Sequence, residues 1–190
     1  MSEESKDDTE FNDNVKIIGN EIYFMGEISE YSILDFIEKF KKLEIELMKK
    51  SLDIGISDPT CKIHICSDGG DLFAGLTAMD VIRKSKLRTV TIAHGACCSA
   101  ATFLLIAGKE RLISRSAHIL IHQISTTEMW CKYEELKDEL EMCNKLMKTL
   151  CEEYLRSTKI PEKKLNKLMK RDIYLTPDEC IKYNVVDDYE

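Results

Sequence analysis

A serine before an apolar helix, a histidine at a strand end and an aspartate in a loop are three residue types that together can attack a carbonyl carbon. The serine is Ser99, in the small-residue run Gly95-Ala96-Cys97-Cys98-Ser99-Ala100-Ala101, which separates a β-type segment from the helix signal Thr102-Phe103-Leu104-Leu105-Ile106-Ala107. At a helix start the first N–H groups have no partner inside the helix and the dipole favours negative charge, so an oxyanion forming beside Ser99 would find donors. A hydroxyl becomes a strong nucleophile when a base takes its proton and a carboxylate fixes that base's tautomer. His122, closing the apolar run Ile119-Leu120-Ile121, and Asp172, in Lys170-Arg171-Asp172, are of those types. The chain order Ser, His, Asp differs from the three orders commonest in serine hydrolases. Cys97 and Ala101 also stand where a G-x-S-x-G elbow needs glycine, which argues against an α/β-hydrolase.

A second constellation is Lys62-Ile63-His64-Ile65-Cys66-Ser67-Asp68-Gly69-Gly70, a β-rich run ending in paired glycines. Glycine lets backbone N–H groups approach a ligand closely, and in a parallel sheet the functional loops gather beyond the carboxyl ends of the strands. The Gly69-Gly70 turn and the Ser99 turn are therefore expected to face one crevice and to share an oxyanion hole.

The elements that must hold these turns read as alternating β and α. Lys16-Ile17-Ile18 and Glu21-Ile22-Tyr23-Phe24-Met25 flank the turn signal Gly19-Asn20. Ile33, Ile37, Phe40, Leu43 and Leu47 recur at helical spacing, which predicts an amphipathic helix from about Ser32 to Lys50. A helix over Leu72–Lys84, a strand over Thr89–Ala93, a helix over Ser99–Ala107 and a strand over Ile119–Ile121 follow, and right-handed βαβ crossovers are the economical way to join them. From Lys132 to Arg156, the residues Tyr133, Leu136, Leu140, Cys143, Met147, Leu150 and Tyr154 step by threes and fours, a heptad-like seam that can pack on its own domain or on another subunit. Thr176-Pro177-Asp178-Glu179 is a helix-start signature that would steady the loop carrying Asp172.

The chain of 190 residues, 44% apolar and 32% charged, suits one globular domain. A net charge of −7 argues against a nucleic-acid surface. No apolar run reaches the ~18 residues of a membrane span, and the acidic start has neither secretory-signal nor transit-peptide character. The expected location is cytoplasmic. Eight cysteines, mostly within apolar patterns, read as reduced thiols with no structural disulfide. No metal is expected. Strand alternation puts His64 and Cys66 on one face with Cys61 near or before the strand start, so a four-ligand zinc set is not supplied. His118 and His122, four apart on a strand, do not make a zinc helix motif. Cys97 and Cys98 read as close-packing residues.

Five ordered motifs resemble the Clp protease proteolytic subunit family (ClpP): Ser67-Asp68-Gly69-Gly70 with Ala74-Gly75; Gly95-Ala96-Cys97-Cys98-Ser99; Ala107-Gly108 with Arg111; Ile121-His122-Gln123; and Arg171-Asp172 with Val185-Val186-Asp187. Taken singly, Ser99 reads as a capping serine, His122 as a core histidine and Asp172 as an exposed loop acid. The resemblance joins them. It implies an α/β fold of ClpP/crotonase-like βαβ repeats with a protruding handle helix and a single peptidase domain over 15–190, while the acidic residues 1–14 read from their composition as a mobile tail. It implies a serine endopeptidase with nucleophile Ser99, base His122, orienting acid Asp172 and oxyanion N–H donors Gly70 and Ala100. No cofactor enters such chemistry. The chain has no G-x-x-x-x-G-K-[ST] loop, so the implied partners are a hexameric AAA+ unfoldase, which delivers unfolded polypeptide, and further copies of the chain in heptameric rings stacked face to face.

The chain departs from the family at four places. Asp68 replaces a proline, and Ala100 replaces a methionine after the nucleophile. Ser125-Thr126-Thr127-Glu128-Met129 stands where the family has a glycine-rich strand that aligns substrate and helps join rings. Lys170 precedes Arg171 where many members carry an acid that pairs with this arginine across the ring interface. A catalytically silent ring subunit and a crotonase-type acyl-CoA enzyme are the alternatives, and the intact Ser99, His122, Asp172 set argues against both.

Overall fold

In Glu21–Met25 buried and more exposed side chains alternate, which is how a strand with one face on a core reads. The computed structural model describes residues 14–126, 130 and 132–190; the expected tail, apart from Asn14, lies outside the described residues. The turn at Gly19, whose φ of +64° suits glycine, folds β2 (Glu21–Met25) antiparallel onto β1 (Val15–Ile18). Helix and strand then alternate through α1 (Glu30–Ile54), β3 (Thr60–Ser67), α2 (Leu72–Arg83), β4 (Arg88–Cys98), α3 (Ala101–Ile106), β5 (Glu110–Ile113) and β6 (His118–Leu120). The chain ends with α4 (Tyr133–Ser157), α5 (Glu162–Leu168), α6 (Pro177–Lys182) and β7 (Asp188–Tyr189). The sheet runs β1-β2-β3-β4-β5-β7, parallel after the first hairpin, with β6 beside β4.

α1 lays Ile33, Phe36, Phe40 and Leu43 on the core. It is longer than its apolar stripe suggested, because Ser29 and Ser32 cap each other's backbone at the start and the chain stays helical until Gly55, at φ +73°, takes the left-handed turn. Two other boundaries differ in ways that shape the site. β4 does not stop at Ala93; it turns at Gly95 (φ +51°) and continues to Cys98, pairing with β5 over Val90–Ala93 and with β6 over Ala96–Cys98. The small-residue run expected to separate strand from helix is thus strand as far as Cys98, with Cys97 and Cys98 buried. α3 starts after Ser99, not at it, and is buried from Ala101 to Ile106. α5, β5 and β7 are short elements that periodicity did not reveal.

α4 is amphipathic, yet only its last turns reach the core: Leu150 and Tyr154 are buried, while Tyr133, Leu136 and Leu140 are 71%, 57% and 62% exposed. Its first half therefore protrudes from the sheet. Tyr154 anchors the other end. Thr102 Oγ1 donates to the Ser99 carbonyl (2.6 Å), so its contact with the Tyr154 hydroxyl (2.6 Å) has the tyrosine as donor. Burial pushes the Tyr154 phenol up, so it keeps the proton it donates. Arg111 ties the far edge together, donating to both Asp187 carboxylate oxygens and to the carbonyls of Ser157 and Asn184. Burial works against the Asp187 charge, but the guanidinium outweighs it and holds the carboxyl below its ordinary range.

Candidate functional site

Ser99 sits on the tight turn between β4 and α3 with φ +53°, a left-handed conformation that costs a non-glycine residue about 1–3 kcal/mol. Its N–H donates to the Leu120 carbonyl (2.8 Å), and its carbonyl accepts from Thr102 N–H (3.0 Å) and from the Thr102 hydroxyl. The turn is thereby clamped to β6 on one side and to α3 on the other. Gly69 fills the remaining approach: a Cβ there would lie 2.7 Å from Ser99 Cβ and 2.8 Å from the Cys98 carbonyl oxygen.

The Gly69-Gly70 turn is held from its other side by Ile28, whose N–H donates to the Gly69 carbonyl while its own carbonyl accepts from Asp71 N–H, both at 2.8 Å. Asp68, in the position of the family's proline, is exposed, and Ser67 Oγ closes the turn by accepting from Gly69 N–H (3.1 Å). Ala100 is buried against Gly75, where even an added Cβ would stand only 3.0 Å from Ala100 Cβ. Among the described residues, neither the Gly70 N–H nor the Ala100 N–H donates a hydrogen bond. Two backbone donors without acceptors thus flank the serine in one cleft, whose lining includes Gly70, Ser99, Ala100 and His122, with Leu146 and Leu150 of α4 on the far wall.

His122 follows β6 and is half-buried. The loop it begins is tied to the segment after α5 by Gln123 N–H donating to the Met169 carbonyl (3.0 Å), and Ile119 and Leu175 exchange two backbone bonds (3.1 and 2.7 Å). This pairing brings Asp172 to His122, with 3.4 Å between Asp172 Oδ1 and His122 Nδ1. Asp172 is outside the cleft lining and its side chain is 78% exposed, so water screens much of its pull on the ring. Ser99 Oγ makes no hydrogen bond among the described residues, although it shares the cleft with the imidazole; serine–base bonds that are loose without substrate tighten when it binds. All five candidates are brought together, four in the cleft and the carboxylate behind the histidine.

The neighbours with other possible chemistry fall away from this centre. Burial raises the Cys98 thiol and pushes that of Cys97 well above its ordinary value, so both stay protonated at neutral pH and neither competes with the serine. His118 turns its Nδ1 to the Ser116 carbonyl (3.1 Å) and its ring edge to Tyr174. Of the divergent segment at 125–129, Ser125 and Thr126 line the cleft, and the other three residues lie outside the described ones. Sequence reasoning missed the wall contributed by α4, including Glu139 and Cys143, because a helical stripe does not say what it faces.

Known proteins resemble the chain in sequence and in fold. The family model described as Clp protease matches residues 19–189. The chain is 30% identical over 138 residues to an ATP-dependent Clp protease proteolytic subunit of Deinococcus radiodurans, a match covering 72% of this chain and 67% of that one. It is 29% identical over 139 residues to the subunit of the same name from Oryza sativa subsp. indica, covering 72% of this chain but only 63% of the relative, so the match spans less than two thirds of the rice protein. In three dimensions it resembles a ClpP1 mutant from Listeria monocytogenes with a TM-score of 0.72 at 22% identity, over 87% of each chain.

Proposed function

The chain belongs to the Clp protease family, and from that premise we propose that it is a proteolytic subunit: a serine endopeptidase that cuts unfolded polypeptide through an acyl-enzyme on Ser99. His122 takes the Ser99 proton as Oγ attacks and returns it to the leaving amine; water then attacks the ester with His122 again as base. The Gly70 and Ala100 N–H groups hold the tetrahedral oxyanion. The single observation that carries this reading is the pair of unpaired backbone donors beside a serine held at positive φ. A fluorophosphonate probe tests it: one label per chain on Ser99 is the expected result, and a folded protein that takes no label there would overturn it.

Folded proteins are expected to need a partner. The chain carries no phosphate-binding loop, so unfolding must be powered by another protein, for which a hexameric AAA+ unfoldase is the proposed class. Short peptides should be cut without ATP. Gel-based digestion of a stably folded substrate by the purified subunit alone, with neither partner nor nucleotide, would refute the dependence. We place the chain in the cytoplasm, a reading supported by seven described cysteines that are unpaired and mostly buried; no helix among the described residues is long and apolar enough to cross a membrane.

The proposed assembly is a heptameric ring. The exposed first half of α4 offers Tyr133, Leu136 and Leu140 for burial against a second ring. Lys170 and Arg171 are both exposed, and with a lysine where many members of the family carry an acid the stacked interface would lose an attraction worth at most about 1 kcal/mol per exposed contact, repeated around the ring. Heptamers are expected, with fourteen-subunit particles that fall apart on dilution or in high salt. Mass photometry reads this directly. Monomers at every concentration refute the ring, and a double ring stable to both treatments refutes the weakened stacking.

A further inference from the structure

His64 of β3, His94 of β4 and Glu190 just beyond β7 meet at one place on the sheet, away from the residues that line the Ser99 cleft. Their ligand atoms all lie within 4.8 Å of one another, the only such group of three or more His, Cys, Asp or Glu side chains among the described residues. His64 Nδ1 is 2.8 Å from His94 Nε2, which is 3.7 Å from Glu190 Oε2. The sheet makes this meeting. His64 registers with Ile92 across the parallel β3–β4 pair, so His94, two residues on, shares its face. Glu190 arrives because β7 pairs with β5 and Glu190 N–H donates to the carbonyl of Ile113, itself opposite Ala93.

His64 is 4% exposed, and its Nε2 is a buried polar atom without a hydrogen bond. The nearest acceptor, Glu21 Oε2, is 3.3 Å away but out of line. Glu21 is itself held by the Tyr23 hydroxyl (2.8 Å) and lies 3.4 Å from Lys62 Nζ, while the Tyr23 ring stacks on the His64 ring at 4.3 Å. A carboxylate on that side favours the proton on Nε2, which leaves the Nδ1 lone pair aimed at His94. Metal-ligating histidines usually donate their other ring N–H to a carboxylate, and Glu21 Oε2 stands 3.3 Å from Nε2, where a small rotation of the ring on metal binding would make that bond. Two imidazole nitrogens at 2.8 Å need either a proton or a metal between them. Zinc–nitrogen bonds of about 2.0–2.1 Å in a tetrahedron separate the nitrogens by ~3.3 Å, so a side-chain movement of about half an ångström admits the ion. His94 is partly exposed and can exchange its proton from Nε2 to Nδ1 through solvent.

We propose that His64, His94 and Glu190 form a divalent transition-metal site of the zinc class, with Glu21 orienting His64 and a fourth position left to water. Two imidazoles and one carboxylate suit zinc better than the all-oxygen sites of magnesium and calcium or the sulfur sites of copper(I). Reading along β3 alone did not find it, since Cys61 and Cys66 are not its ligands and the true neighbours of His64 lie on β4 and beyond β7. A bound ion would join β3, which leads to Gly69-Gly70, to β4, which leads to Ser99.

The test uses the full chain stripped of metal and titrated with cobalt(II), whose visible d–d bands report tetrahedral coordination. One equivalent is expected to bind without a thiolate charge-transfer band, to be displaced by zinc(II), and to raise Tm. Glu21→Gln should weaken binding about 10–100-fold, and His94→Ala and Glu190→Gln at least as much. Glu190 is at the surface, so its variant tests the site in a folded protein, with circular dichroism as the check. Absence of saturable binding by the parent, unchanged affinity in both His94→Ala and Glu190→Gln, or a thiolate band in place of nitrogen and oxygen ligation overturns the proposal.

Discussion

Ser99→Ala and His122→Ala are each expected to lower the rate of peptide cleavage by about four orders of magnitude or more, leaving only what binding and the oxyanion donors supply. Neither change should unfold the protein: Ser99 Oγ makes no hydrogen bond among the described residues and its backbone clamps remain in alanine, while His122 is a half-buried side chain at the cleft wall. Because the two act as one unit, the double variant should be scarcely slower than either single one. Asp172→Asn should slow turnover by less than the about 10⁴-fold general for this change in such a triad, since a carboxylate 3.4 Å from the ring and 78% exposed orients the imidazole through a water-screened contact. Rates measured on a fluorogenic peptide, with ring mass followed in parallel, separate chemistry from assembly. Near-parent turnover in Ser99→Ala, freed of contaminating protease, would remove Ser99 as the nucleophile.

Where a residue's neighbours in sequence are also its neighbours in space, the chain could be read directly. The capping box at Thr176 and Glu179, the Gly19 turn and the stripe of α1 are of that kind, because each is set by contacts within a few residues. The Ser99 turn was legible as a small-residue interruption, but its extent was not. Gly95 to Cys98 form strand because β6 and Ser67 of β3 supply partners, and nothing local announces either. Asp172 reaches His122 through the bridge between Ile119 and Leu175 and the Gln123–Met169 bond. Those are long-range pairings, so only the resemblance to a family joined the two residues beforehand. The His64 cluster shows the same limit from the other side: its carboxylate depends on the pairing of β7, a strand of two residues too short to carry any periodicity.

Gly70→Ala is expected to abolish most activity by a route different from loss of the nucleophile. Gly70 holds φ +143°, and a Cβ added there would fall 2.1 Å from the Ile28 carbonyl oxygen, a backbone atom fixed by its bond from Asp71 N–H. The turn must move. Its N–H then leaves the position from which it can meet an oxyanion, and removing one such donor costs about 10²–10³ in kcat. KM should change little, because the donor meets a charge that exists only as the carbonyl is attacked. Some stability is lost as well, about 1–3 kcal/mol for forcing a side chain into this region of φ. Gly19→Ala is the matching control: it also has positive φ, but an added Cβ there meets nothing within 4 Å and the residue is on the β1–β2 turn, far in sequence from the cleft residues. It should lose stability while keeping kcat. Turnover of each variant per folded chain, alongside urea unfolding, distinguishes the two effects. If Gly70→Ala folds and keeps the kcat of the parent, the Gly70 N–H is not an oxyanion donor, and the reading of this cleft as a peptide-bond hydrolysing site loses the observation on which it chiefly rests.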